Sequence, residues 1–178
     1  MPMTAQTIIP KFEKVLGVWE KALDQYSDEE FARKPDPDSW SIGQVYAHLV
    51  RSALNYHLKQ AEASLGTAEN ADKPKTGGGK LSYFIGGFLP VKVKVPPSDT
   101  YTPKQPAGKE AIREGLSAVR DRYKELGSQI DRTGSKGKTA HPFLGYLNAV
   151  EWFQLVEMHY RHHLRQKRRL DKFLKKVN

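Results

Sequence analysis

The fold turns on "AVEWFQLVEMHYRHHLRQKRRL", residues 149–170. Ala149, Trp152, Phe153, Val156 and Tyr160 recur at three- and four-residue steps, and Leu170 and Leu174 continue the stripe toward the C-terminus. That period is the signature of an amphipathic helix with one buried side. His159 and His163 fall on the same stripe, one turn apart, and His162 lies on its flank. The Arg and Lys residues mostly fall on the outside and at the end. One helix therefore carries an inner apolar face with two imidazoles and an outer basic face.

Three other segments share this periodicity. The first, over about 7–26, aligns Ile8, Phe12, Val15, Leu16, Trp19 and Leu23, and Pro35 and Pro37 bar its continuation. The second opens in "DSWSIGQVYAHLV", residues 38–50, where Ser39 or Ser41 can cap it and Gln44 completes a capping box with Ser41. Its inner face carries Ile42, Val45, Leu49, Ala53 and Tyr56, with His48 and Ser52 among them, and it runs to about residue 65. The third, over about 109–130, aligns Ile112, Leu116, Val119, Tyr123, Leu126 and Ile130. Four amphipathic helices of about 20 residues predict an all-α fold, an antiparallel four-helix bundle. At 178 residues the chain is expected to be a single domain over 1–178. A Gly/Pro-rich connection over 67–106 joins helices two and three. Within it, "LSYFIGGFL" is apolar enough to dock on the bundle and "VKVKV" alternates like a short extended strand.

Composition narrows the chemistry. The chain has no cysteine, which excludes disulfides, thiolate metal sites and a cysteine nucleophile. A transition metal would have to use His, Asp or Glu. The N-terminal stretch lacks a secretory pattern, and no segment approaches the ~18 apolar residues of a spanning helix. The expectation is a soluble, cytoplasmic protein with no membrane partner. The net charge is +9, and the eight Lys and Arg from Arg161 to Lys176 are offset by Asp171 alone. Such a cluster can attract a polyanion, and it also complements the dipole at a helix C-terminus. It lacks the aromatic or Gly interleaving that stacks bases, and no recognition-helix motif is present. A non-enzymatic protein whose basic C-terminal helix engages nucleic acid or an acidic partner is the second function class.

The histidines raise the sharper question. Side chains four apart on a helix have Cβ atoms roughly 5–6 Å apart, so His159 and His163 can reach one ion at about 2.0–2.1 Å per Zn–N bond. With His48 inward on the second helix, three imidazoles would leave an open position, an arrangement that suits zinc, nickel or iron. Inward histidines are also commonly hydrogen-bonded core residues, and i, i+4 pairs arise by chance in a chain with six. Periodicity leaves both readings open. His57 falls half a turn out of phase with His48 and is expected in solvent. His141, before Pro142, is expected in a loop as a turn or lid residue.

"DSWSIGQVYAHLV" and "HPFLGYLNAVEWFQLVEMHYRHHLRQ" (141–166) resemble the second and final helices of the DinB-like superfamily. The resemblance rests on a Trp-Ser-Ile segment before a His, a Glu-Trp pair and a His-x-x-x-His-x-x-Gln run, and covers nearly the whole chain. It implies an up-down-down-up four-helix bundle, commonly dimeric, holding a divalent metal through His48, His159 and His163. His162 departs from the pattern as a fourth imidazole, either behind the ligands or on the surface. Members that are enzymes include transferases and isomerases using a low-molecular-weight thiol, and others are described as metal-dependent hydrolases. The implied function is a metal-dependent enzyme, a hydrolase or thiol-dependent transferase, acting on a small molecule as a homodimer. Zinc or nickel is the expected metal, with iron as a third option. No general base stands out: Glu151 and Glu157 are on the fourth helix, and Glu157 is read as turned away from His159. Gln166 could hydrogen-bond a ligand. Ser52 and Tyr56, with Tyr46 and Tyr160, are the candidate pocket-lining residues.

Overall fold

The structure is a computed structural model and describes residues 4–89, 102–134 and 136–177. Its helices begin where side chains can satisfy the free N–H groups of a first turn. Helix α1 (Ala5–Leu23) is capped by Thr4 in a reciprocal box with Thr7. The Asp131 carboxylate also accepts from Ala5 N (2.9 Å) and Gln6 N (3.1 Å). A short α2 (Asp28–Ala32), capped by Ser27 and Glu30, follows in a stretch that periodicity leaves as connection. Helix α3 (Ile42–Ser52) starts at the Ser41–Gln44 box, with Gln44 N donating to Ser41 Oγ at 3.1 Å and Ser41 N to Gln44 Oε1 at 3.0 Å. It passes through a π-helical turn at Ala53–His57 into α4 (Leu58–Leu65).

Helix α5 (Gly77–Ile85) precedes the long α6 (Lys109–Thr133), which Gly134 ends in the left-handed conformation at φ +59°. Strands β1 (Lys138–His141) and β2 (Gly145–Asn148) pair antiparallel, with Lys138 opposite Asn148. Helix α7 (Ala149–Val177) starts directly after β2, where Asn148 and Glu151 cap each other's backbone N–H at 2.9 Å. The described chain is therefore mostly helical, with one two-stranded sheet.

Side-chain pairs fix the helix directions. Arg120 meets Glu13 at 3.1 Å and Arg113 meets Asp24 at 2.9 Å, so α1 and α6 are antiparallel. The Trp19 indole donates to Tyr160 O (3.2 Å) and Tyr26 to Asp171 (2.6 Å), so α1 and α7 run the same way. His48 faces His159, while Ser64 reaches back to Leu147 O at 3.4 Å, so α3–α4 runs against α7. The core between them is heavily aromatic: Phe12, Trp19, Tyr46, Tyr123, Trp152 and Tyr160 are all fully buried. Buried phenols need partners. Tyr46 donates to Trp19 O at 2.7 Å, and Tyr123 donates to Phe153 O at 3.0 Å while stacking on the Phe153 ring.

Two further features depart from the periodicity reading, the start of α5 and the β1–β2 hairpin. The "TGGGK" stretch is the start of α5, capped by Thr76, rather than open connection. Gly79 makes this docking feasible, because a Cβ there would lie 2.2 Å from Leu144 O. Tyr83 and Phe88 pack against the core, whereas Phe84 is 87% exposed and Leu81, Ile85 and Leu89 also face out. The "VKVKV" stretch lies outside the described residues. The β1–β2 hairpin was not signalled by any strong turn pair.

The π-helical turn corrects His57. In an uninterrupted α-helix, nine residues past His48 is half a turn away. The wider turn takes up one extra residue, and the buried set beyond it becomes His57, Leu58, Ala61 and Ser64. His57 is buried, not solvent-exposed, at 7% relative exposure.

Candidate metal centre

Helix α3 and helix α7 bring three imidazoles to one point. His48 Nε2 lies 3.0 Å from His159 Nε2, and His163 Nε2 lies 3.1 Å from the same atom. The one-turn spacing of His159 and His163 places those two side by side, and the reversed direction of α3 presents His48 across from them. All three residues are partly buried. Among the described residues, this is the cluster of His, Asp and Glu close enough to hold a metal ion.

Electrostatics keeps these rings neutral. Burial, with a smaller effect of Arg51, pushes the His48 pKa down to about 4. Burial and then His48 push His163 to about 3, and burial and the neighbouring imidazoles hold His159 well below the usual range. Desolvation disfavours the charged form of each. The outer nitrogens then set the tautomers. His163 Nδ1 donates to Gln166 Oε1 at 2.8 Å, which leaves its Nε2 with a lone pair aimed inward. Ser52 Oγ lies 3.4 Å from His48 Nδ1. Nε2 lone pairs meeting at 3.0–3.1 Å repel unless a cation lies between them, and one proton can bridge only two of the three. A divalent ion answers all three, so the donor set fits a metal.

The other candidate residues fall around this point unequally. Ser52 and Gln166 stand directly behind His48 and His163. Tyr56 does not reach the cluster; its ring packs on His57, His141 and Trp152. His162 is not drawn in either. Its ring lies 5.4 Å from those of His163 and Phe88, in the wall of a small cavity with Met158, Arg161 and Arg165. The hydroxyl of Tyr46 is spent on Trp19 O, and that of Tyr160 is buried with no partner among the described residues.

The two glutamates of α7 are engaged elsewhere. Glu157 is buried at 6% exposure and pairs with Arg161 at 2.7 Å. Glu151 pairs with Lys75 and caps α7. Neither is placed to act as a base at the cluster. His141 Nδ1 accepts from Phe143 N and Leu144 N, both at 3.1 Å, so it shapes the hairpin turn rather than a lid. Residues that the periodicity reading missed are Trp40, whose ring lies 5.2 Å from that of His48, and His57, which packs edge-on to His159 at 5.0 Å. Trp40 belongs to the same "DSWSIGQ" segment that carries the capping box. His57 had no local signal.

The basic C-terminal stretch is partly neutralised. Arg161 pairs with Glu157, and Lys167 pairs with Asp171 at 2.7 Å while lying over the Tyr26 ring. No helix among the described residues is long and apolar enough to cross a membrane.

Comparison with known proteins agrees with this architecture. The model of the DinB superfamily matches residues 11–166, a span that includes all three clustered histidines. No curated protein and no solved structure matches the chain. With most of its length matched, the chain belongs to the DinB superfamily.

Proposed function

We propose that this chain is a metal-dependent enzyme of the DinB superfamily, with His48, His159 and His163 as the ligands of one divalent ion. Its scaffold is the up-down-down-up four-helix bundle formed by α1, α3–α4, α6 and α7 in a single domain. The direction-setting contacts described above support that reading. The carrying observation is the approach of His48 Nε2 and His163 Nε2 to His159 Nε2, at 3.0 and 3.1 Å, with a polar group on the opposite nitrogen of both outer rings. A ligand set without carboxylates leaves the ion its full charge, and zinc or nickel suits imidazole nitrogen, with iron the third choice.

When bound, such an ion supplies Lewis acidity that lowers the pKa of a water or a thiol. The residues of this chain orient the imidazoles and supply the small accessible opening. Among the described residues no carboxylate joins the cluster, and this favours a low-molecular-weight-thiol-dependent transferase over a hydrolase that needs a general base. A small-molecule substrate, a homodimeric assembly and a cytoplasmic setting complete the proposal. The pairing of Arg161 and Lys167 with acids weakens the alternative of nucleic-acid or acidic-partner binding through the basic helix.

The test is elemental analysis of untagged protein after incubation with zinc or nickel, for wild type and His159→Ala. About one ion per chain in the wild type and loss in the variant are expected. A wild type that holds well below one ion per chain refutes the metal, and unchanged retention in His159→Ala refutes the ligand assignment.

A further inference from the structure

A histidine that ligates a metal through one nitrogen almost always uses the other, donating its N–H to an outer partner that fixes the ring. Two of the three clustered rings meet this requirement: His48 through Ser52 and His163 through Gln166. His159 does not. Its Nδ1 is buried and has no partner among the described residues. Besides the other two clustered rings, His57 packs edge-on to it, with ring centroids 5.0 Å apart and planes at 88°. His57 Nδ1 is also buried and has no partner among the described residues. So is the Trp152 indole nitrogen, whose ring lies 6.2 Å from that of His57. Three buried polar atoms on successive neighbouring rings, His159 Nδ1, His57 Nδ1 and Trp152 Nε1, thus have no partner among the described residues.

We propose that His57 is a positioning residue for His159, holding its ring through one buried water that bridges the two Nδ1 atoms. This rests on the metal-site reading above. A water donates two hydrogen bonds and accepts two. It can accept from the Nδ1–H of His159 and donate to the Nδ1 lone pair of His57, which leaves His159 Nε2 free to face the cluster. One acceptor site then remains for the Trp152 N–H. The π-helical turn explains how His57 arrives there, since an uninterrupted helix would point it to solvent. Such turns within α-helices occur frequently at functional sites. Each ligand would then have its own outer partner: Ser52, Gln166 and the water on His57.

The test uses untagged full-length protein stripped of metal, with zinc affinity measured by competition with a chromophoric chelator. His57→Phe keeps an aromatic ring but removes the nitrogen, and is expected to weaken zinc binding about 10–100-fold. It is also expected to shift the visible absorption bands of the cobalt(II)-loaded protein. His57→Gln, which retains a side-chain donor and acceptor, is expected to recover most of the affinity. Melting of the metal-free variants serves as the folding control. Wild-type zinc affinity in a folded His57→Phe, or a His57→Gln as weak as His57→Phe, overturns the inference while leaving the metal site intact. A wild type that binds neither zinc nor nickel overturns both. Independently of any variant, a crystal structure of the wild type is expected to show a water within hydrogen-bonding distance of both Nδ1 atoms. Clear density without one overturns the bridge.

Discussion

Replacing Gln166 separates the metal reading from a purely structural role for the histidine cluster. Its Oε1 accepts from His163 Nδ1 at 2.8 Å, and both side chains are part-buried. Gln166→Leu removes that acceptor. In the metal-free protein the loss is one neutral hydrogen bond, about 0.5–1.5 kcal/mol, or a fall of a few degrees in Tm for a domain of this size. In the metal-loaded protein, losing an outer partner of a ligand costs about 10–100-fold in metal affinity, equal to about 1.4–2.7 kcal/mol. Gln166→Glu works in the opposite direction. A carboxylate acceptor makes a hydrogen bond roughly twice as strong as a neutral one, so zinc affinity is expected to rise about 5-fold for about 1 kcal/mol gained. The assay is chelator competition on untagged protein, with differential scanning calorimetry of metal-free and zinc-loaded samples. The reasoning is refuted if leucine and glutamate shift zinc affinity in the same direction. It is also refuted if Gln166→Leu lowers the Tm of both forms equally.

Other predictions follow from features away from the cluster. Burial pushes the His141 pKa down to about 4, against an unfolded value of ~6.5, so between these values the unfolded chain binds the proton first. Stability is therefore expected to fall as pH drops from ~6.5 to about 4, and to lose nothing further from this group below that. His141→Asn should flatten the slope of urea midpoints between pH 7 and pH 5, and an unchanged slope would count against it. Asp131→Ala strips the acceptor from Ala5 N and Gln6 N at the start of α1, and is expected to cost about 1–2 kcal/mol by chemical denaturation. An unchanged midpoint would show that solvent caps α1 equally well. Gly79→Val forces atoms against Leu144 O, where even a Cβ would lie at 2.2 Å. It is expected to loosen α5 and speed tryptic cleavage at Lys75 and Lys80, and wild-type cleavage kinetics would refute that.

The long helices were legible because their stripes are long and regular, and because Ser41–Gln44 names its own capping partner. His159 and His163 were legible for the same reason, since one turn of a helix brings them together whatever surrounds it. His48 needed only the inner face of the next stripe. What stayed hidden depended on contacts that neither a periodic stripe nor a turn dipeptide records. Three glycines are poor helix formers, and only the Leu144 backbone against Gly79 shows why α5 starts there. The β1–β2 hairpin relies on His141 binding two backbone N–H groups of its own turn, a role no turn dipeptide announces. Glu157, read by phase as turned away from His159, is also buried and paired with Arg161.

The π-helical turn at Ala53–His57 has a consequence for insertions and deletions. Downstream of it, every side chain of α4 is rotated by about 100° relative to a straight continuation of α3. Chain length, more than residue identity, therefore decides which residues of 54–65 meet the core. Most substitutions within the turn would leave that choice alone. Regular α-helical winding of the full-length segment would swing Leu58 and Ala61 off the core and carry His57 out to solvent, whereas removal of one residue of 53–56 would let the helix straighten with all three still facing inward. A homologue one residue shorter here could keep both the histidine cluster and the wall behind His159 on an unbroken α-helix.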